Sequence, residues 1–298
     1  MVIQKKIHSV LAFDLDGTLT KPNQPQILPS YLPQLLNRLA EIGHVTIPVT
    51  GKPANYVVNF LSVNGLADNG IVAENAGVYR LPDHNKVSIF GPGTDKISQL
   101  KTVLDLKYTD TGVTKIFINK HKYQVAIDPD DLSILTIFTD PKFVSHRWQF
   151  SHTIKADYLF GQIKSLLEKL DLNSYLTVLP PFADGAIQVI RRDPTLDQNI
   201  DKACFIQVLK EVFPYADQVK VAMFGDGYND IPAMAQKNVT PITFKNADAE
   251  VKKFVKAQAG YISRFQTPQS DGVRDGLRWL VKQDFFGPDT TAVTEILS

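Results

Sequence analysis

Apolar positions along this chain follow two rhythms, and their order predicts an architecture. Ser9–Phe13 is a short apolar run ending in a polar loop, the pattern of a strand buried on both faces. Leu32, Leu35, Leu36, Leu39 and Ile42 then recur at helical spacing, with Ser30 placed to cap that helix and Gly43 to stop it. Residues 44–49 predict a second strand, Pro53 opens a second helix, and Ile71–Ala73 predicts a third strand ending at Glu74 and Asn75. The last third repeats the grammar. Residues 199–212 predict a helix, 219–224 a buried strand, 230–236 a helix, 239–244 a strand, and 248–257 and 272–282 two further helices. Strands alternating with helices predict a parallel sheet with helices on both faces.

The middle of the chain, about 83–181, breaks that grammar. Residues 115–119 and 123–128 are rich in strand formers, 133–139 fits strand or helix, and 157–170 predicts a helix. Breakers bound the region, Leu81-Pro82-Asp83 on one side and Pro180-Pro181 on the other. The fold class expected is therefore α/β. Residues 1–82 and 190–298 should build a Rossmann-like, doubly wound parallel-sheet core, and residues 83–189 an inserted α+β cap.

Composition narrows the possibilities. The chain has 298 residues, 44% apolar and 21% charged, which is ordinary for a globular protein of two unequal domains. Thirty-two basic residues balance 31 acidic ones, for a formal charge of +1. Such balance gives no global attraction to nucleic acid or anionic membrane, so a bound anion must be held locally. The one cysteine, Cys204, has no partner for an intrachain disulfide, as expected of a reducing compartment. The apolar stretch after Lys5 and Lys6 is too short for a signal peptide, and no run is long enough for a membrane span. A cytoplasmic protein, monomer or homodimer, is expected.

Two acidic loops carry the candidate chemistry. Asp14-Leu15-Asp16-Gly17-Thr18 directly follows the first buried strand, where open α/β sheets bind their ligands. An Asp/Gly turn alone needs only backbone hydrogen bonding. An EF-hand reading fails because its sixth and twelfth positions would be Leu19 and Pro25 instead of Gly and Glu. Gly225-Asp226-Gly227-Tyr228-Asn229-Asp230 follows another buried strand. Two such loops at strand ends of one parallel sheet can converge on a hard cation such as Mg2+, which prefers oxygen ligands.

With these motifs in view, the chain resembles a haloacid-dehalogenase-like (HAD) hydrolase of the Cof type, whose α+β cap is inserted between the second and third motifs. Asp14-x-Asp16-Gly17-Thr18, Thr50 in Val49-Thr50-Gly51-Lys52, Lys202, and Asp226 to Asp230 occur in that family's order, and Asp271-Gly272-Val273 resembles its C-terminal segment. The resemblance implies a Mg2+-dependent phosphatase of small phosphorylated metabolites, sugar phosphates among them. Asp14 would be the nucleophile and Asp16 the acid and base. Thr50 and Lys202 would stabilise the phosphoryl group. The metal ligands would be Asp14, the backbone carbonyl of Asp16 and Asp226, with Asp230 binding directly or through water. Leu15, Gly51, Lys52 and Asn229 would contact phosphate or order the site.

Two departures stand out. Lys52 replaces the arginine common after the Thr-Gly pair, and Glu74-Asn75-Ala76-Gly77 reverses the small residues of a related family segment. Lys210 competes with Lys202 on the same predicted helix. Basic cap residues Lys115, Lys120, Lys122 and Arg147, with His121 and His152, are read as solvated rather than substrate-binding, and Cys204 as core. A phosphomutase would use the same machinery, and a non-catalytic sugar-phosphate-binding regulator the same fold.

Overall fold

The computed structural model describes residues 7–22, 24–82, 84, 86–104, 113–118, 121–127, 132–138, 156–181, 186–213 and 218–298. Lys120, Arg147 and His152, and the side chains of Lys115, His121 and Lys122, lie outside the described set. Two compact units emerge, Met1–Ser88 with Lys202–Ser298, and Ile89–Asp201. The expected junction at 189/190 falls inside a strand, Ala186–Asp193. The division lies later, after Asp201.

The chain begins β1 (Ser9–Phe13), α1 (Leu32–Glu41), β2 (His44–Pro48), α2 (Ala54–Val63), β3 (Ile71–Ala73) and β4 (Val78–Arg80). Next comes β5 (Ser88–Ile89), beside β4 and across the boundary between the units, and the inserted unit continues with α3 (Thr94–Val103), β6 (Val113–Ile118), β7 (His121–Ile127), β8 (Leu135–Phe138), α4 (Ala156–Lys169), β9 (Leu176–Val178), β10 (Ala186–Asp193) and β11 (Gln198–Asn199). The chain then returns through α5 (Phe205–Val212), β12 (Lys220–Phe224), α6 (Ile231–Met234), β13 (Val239–Thr243), α7 (Ala249–Ala257), β14 (Tyr261–Ile262), α8 (Gly272–Lys282) and α9 (Thr290–Leu297).

In the first unit a parallel sheet has the order β14-β13-β12-β1-β2. β1 is laid down first, the chain moves outward to β2, and it later returns to place β12 on the other side of β1. The direction of winding thus reverses between β1 and β12, the crevice where doubly wound sheets bind ligands. Phe13 and Phe224 are register partners, their rings stack at 4.5 Å, and Asp14 N–H donates to the Phe224 carbonyl at 2.9 Å. The loops after β1 and β12 therefore leave the sheet at one level.

All five residues of β1 are buried, as its unbroken apolar run predicts. On α1, Leu32, Leu35, Leu36 and Leu39 are buried in the same core. Truncating any one of them to alanine should cost about 2–5 kcal/mol. The helix starts later than expected. Tyr31 occupies the cap, with no side-chain capping bond, and Pro33 sits in the first turn, where its missing N–H costs nothing.

Residues 199–212 are not one helix. Asn199 pairs with Arg192 across β10 and β11, so its backbone is committed to a sheet. A single tight turn, Lys202–Cys204, follows before α5 begins at Phe205. The expected helix over 230–236 shortens to a turn at Tyr228–Asp230 and the single turn of α6. Among the described residues β3 meets the main sheet at a Val49–Val72 bridge and pairs antiparallel with β4.

The inserted unit is built on antiparallel pairs in the order β11-β10-β8-β7-β6, with β9 beside β10. Within the ambiguous stretch at 133–139, Leu135–Phe138 form strand β8. Ile97 and Leu100 of α3, Leu159, Ile163 and Leu167 of α4, and Leu135, Ile137, Ile187 and Val189 of the sheet share one core. Arg191 is 1% exposed and donates to the carbonyls of Phe90, Gly91, Pro92 and Ser133 at 2.7 to 3.1 Å. Its own carbonyl accepts from Ile200 N–H at 2.8 Å.

Candidate active site

Three carboxylates and one ammonium meet at the winding reversal. Asp14, 7% exposed, leaves β1, while Asp226 and Asp230 come from the loop after β12. Their carboxylate oxygens lie within 4.8 Å of one another. Lys202 Nζ, 1% exposed, donates to Asp14 Oδ1 and to Asp230 Oδ1, each at 2.7 Å. The turn at Lys202–Cys204, not a long helix, delivers that lysine. Lys210 is exposed on α5, so Lys202 is the lysine that reaches Asp14.

Backbone geometry packs the carboxylates closely. Gly17 has φ +84°, and a Cβ there would lie 2.2 Å from Asp226 Oδ2. Only glycine combines that conformation with that approach. A Cβ on Gly225 would lie 2.4 Å from Asp230 Oδ2. Asp230 Oδ2 accepts from the N–H groups of Asp226 and Gly227 at 3.0 Å each. Thr18 donates to Asp226 Oδ1 at 2.9 Å, and Thr267 Oγ1 donates to the Gly17 carbonyl at 2.8 Å.

Burial followed by neighbouring charge dominates the electrostatics. Desolvation pushes Asp14 up to about 7, against the lowering pull of Lys202 and with help from Asp230. Desolvation, then Asp14 and Asp230, pushes Asp226 up to about 8. For Lys202 burial pulls downward, yet Asp14 and Asp230 together outweigh it and hold the ammonium above its ordinary value. Three crowded, desolvated carboxylates sharing one ammonium form an environment that a divalent cation relieves. The donors are all oxygens, and the two glycines clear the space behind them, so the residues present fit Mg2+.

The remaining expected site residues form a second group. Asp16 is partly exposed and ion-pairs with Lys52 at 2.8 Å, while Thr20 Oγ1 donates to Asp16 at 3.4 Å. Thr50 is buried just after β2, and its Oγ1 accepts from Lys52 N–H at 3.2 Å. Gly51 packs against Asn75, whose Oδ1 would lie 3.1 Å from an added Cβ. Leu15 is a buried core side chain, so only its backbone is available to a ligand. Asn229 lies half-buried on the turn after Gly227 and makes no described hydrogen bond to the carboxylates.

The sequence placed Thr18 in the first motif without a role, and it did not mark Thr267, which with Thr18 braces the first loop, or Tyr56. The Tyr56 hydroxyl is buried without a hydrogen-bond partner among the described residues, and burial followed by Asp16 pushes it up to about 12. Lys52 Nζ lies 5.3 Å from that ring's centroid. Glu74, Asn75 and Ala76 all have positive φ, and Asn75 N–H donates to the Thr50 carbonyl at 3.0 Å. Three left-handed residues in a row are strained backbone, held here by tertiary contacts.

No family model and no curated protein matches the sequence. Solved structures do. A haloacid dehalogenase-like hydrolase from Bacteroides thetaiotaomicron superposes with a TM-score of 0.58 at 18% identity, covering 97% of this chain and 99% of that one. The fold is that of the HAD-like hydrolases. A Plasmodium vivax protein described as HAD/COF-like gives 0.58 at 17% identity over 95% and 97% of the two chains. Another Bacteroides thetaiotaomicron structure, from work on phosphatases of the HAD superfamily, gives 0.55 at 16% identity over 96% and 98%. The HAD-like fold thus extends over the inserted unit as well as the parallel-sheet unit. No helix among the described residues is long and apolar enough to cross a membrane.

Proposed function

We propose that this protein is a Mg2+-dependent phosphatase that hydrolyses a small phosphorylated metabolite through a phosphoryl-Asp14 intermediate. The observation that carries the reading is the lysine-bridged pair of Asp14 and Asp230, with Asp226 beside it, at the reversal of a doubly wound sheet. Structural neighbours described as HAD-like hydrolases and phosphatases support it.

One oxygen of Asp14 is held by Lys202, which leaves the other to attack phosphorus. The P–O bond to the leaving group breaks as the Asp14 O–P bond forms, and Asp16 supplies the proton that the leaving oxygen takes up. A water then attacks the same phosphorus, gives its proton to Asp16, and releases inorganic phosphate and the Asp14 carboxylate. Lys202 pulls the Asp14 pKa down against the larger rise that burial causes, favouring the ionised nucleophile, and offsets negative charge in both steps. Thr50 Oγ1 and the N–H groups around Leu15, Gly51 and Lys52 would bind phosphoryl oxygens, and Asn229 would order the loop that carries Asp226 and Asp230. Asp14, the Asp16 carbonyl, Asp226 and Asp230 would hold Mg2+, which supplies further neutralisation of phosphoryl charge when bound.

We read the inserted unit as the part that selects the substrate and a hexose or disaccharide phosphate as the substrate class. The single cysteine fits a cytoplasmic enzyme. The test is Mg2+-dependent release of phosphate from p-nitrophenyl phosphate, followed by a panel of sugar phosphates. Asp14→Asn should lower kcat by at least ~10⁴-fold, the scale on which loss of a nucleophile acts. Wild-type turnover in that variant would remove the nucleophile assignment. A panel answering only to nucleotides or phosphoproteins would remove the sugar assignment alone.

A further inference from the structure

The same parallel sheet carries a second cluster of ligating groups at its other end. β1 spans five residues, so its start lies about 16 Å from Asp14 at ~3.3 Å per residue. There His8, His44 and Asp289 converge, with one nitrogen or oxygen of each within 4.8 Å of the others. His8 immediately precedes β1, His44 opens β2, and Asp289 caps α9.

Three observations separate this cluster from an ordinary ion pair. His44 is 0% exposed, and its Nε2 has no hydrogen-bond partner among the described residues. That nitrogen lies 3.5 Å from Asp289 Oδ2, beyond a sound hydrogen bond. On the far side of the ring, Nδ1 shares a 2.9 Å hydrogen bond with Ser9 Oγ, and Ser9 and His44 are register partners across β1 and β2. Second-shell hydrogen bonds of this kind fix the orientation of a metal-ligating imidazole. The Phe286 ring packs edge-on against His44, 4.8 Å between centroids, and further restrains it. His8 Nδ1 approaches the same carboxylate oxygen at 2.5 Å from the solvent side.

We propose that His8 Nδ1, His44 Nε2 and Asp289 Oδ2 form a binding site for a borderline transition-metal ion of the Zn2+ class, separate from the acidic cluster. Two imidazoles and a carboxylate suit Zn2+ or Co2+ over Mg2+, which prefers oxygen alone. Ligand bonds of about 2.0–2.2 Å in tetrahedral array put neighbouring donors roughly 3.3–3.5 Å apart. The His44–Asp289 separation already has that value, and the His8 contact reaches it by a small outward turn of a partly exposed side chain. The fourth position faces solvent on the His8 side and would take water. Binding there would clamp the start of α9 to the starts of β1 and β2.

The test is titration of the chelator-treated full-length protein with Co2+ in millimolar Mg2+, read by visible absorption, and with Zn2+, read by melting temperature. One equivalent should bind. His8→Ala and Asp289→Asn should each weaken it by at least ~100-fold, Ser9→Ala by about 10-fold, and Asp226→Asn not at all. Zn2+ should also shift the His44 Nε2 resonance in the 15N spectrum of the wild type. Failure to bind an equivalent, unchanged binding in His8→Ala, or loss in Asp226→Asn would overturn the proposal. None of these readouts depends on phosphatase turnover, so the two readings fail separately.

Discussion

At the carboxyl end of β1, Asp14 and Asp230 share a buried ammonium, and at its amino end Asp289 leans on two imidazoles. The first cluster is made by loops. Glycines at 17 and 225 let backbone approach the carboxylates, and the N–H groups of Asp226 and Gly227 turn toward Asp230. The second is made by strand starts, with Ser9 and His44 set side by side by register and Asp289 brought from a helix cap. Burial moves their titrations in opposite directions. It raises Asp14 and Asp226 toward neutrality and pushes His44 down to about 4. One end of the sheet therefore resists being charged negative, and the other resists being charged positive.

The largest effect should come from removing the shared ammonium. Lys202→Met leaves Asp14 and Asp230 buried without their cation, which should cost about 3–5 kcal/mol in urea unfolding and abolish turnover. If stability is unchanged, the carboxylates are not held ionised by that lysine. Next, Gly17→Ala drives a methyl into Asp226 and adds about 1–2 kcal/mol of backbone strain. The Mg2+ concentration for half-maximal activity should rise by ~10–100-fold.

Acidity sharpens the contrast. A raised carboxylate pKa means that the folded state keeps protons the unfolded chain has released, so Asp14 and Asp226 cost stability as pH rises from about 4 toward 8. The lowered His44 works the other way. Its contribution is complete above its unfolded value of 6.5 and is lost as pH falls toward 4, with Asp289 favouring its charged form and His8 opposing it. Above pH 6.5 only the carboxylate cost remains. Metal-free protein should lose melting temperature between pH 6.5 and 8, Mg2+ should restore it, and Asp226→Asn should flatten the slope. The smallest effect belongs to His8→Ala, which should leave kcat and KM at wild-type values because it lies too far from Asp14 to couple. A change in kcat would mean that the two ends communicate through β1.

How much was legible in the sequence follows from where each signal sits. β1, the leucine stripe of α1 and the acidic loops could be read locally, because a buried strand followed by Asp-x-Asp-Gly is one continuous segment. The break between β11 and α5 could not. Residues 199–212 have helical spacing, and only pairing with β10 removes Asn199 from the helix. The left-handed run at Glu74–Ala76 likewise depends on contacts with Thr50 and Lys52, which no local pattern encodes. His8 and Asp289 lie 281 positions apart, and the one local hint was a histidine opening an otherwise buried strand.

Arg191 gives the inserted unit a property of its own. By grasping the carbonyls of Phe90, Gly91 and Pro92 while its backbone carbonyl receives Ile200, it laces the incoming and outgoing strings of that unit together. A Cβ on Gly91 would lie 2.5 Å from Ile200 Cδ1, which shows how close the two strings run. Residues 89–201 thus enter and leave their own unit along neighbouring paths, so the start and end of that long excursion are fixed to each other by one buried guanidinium.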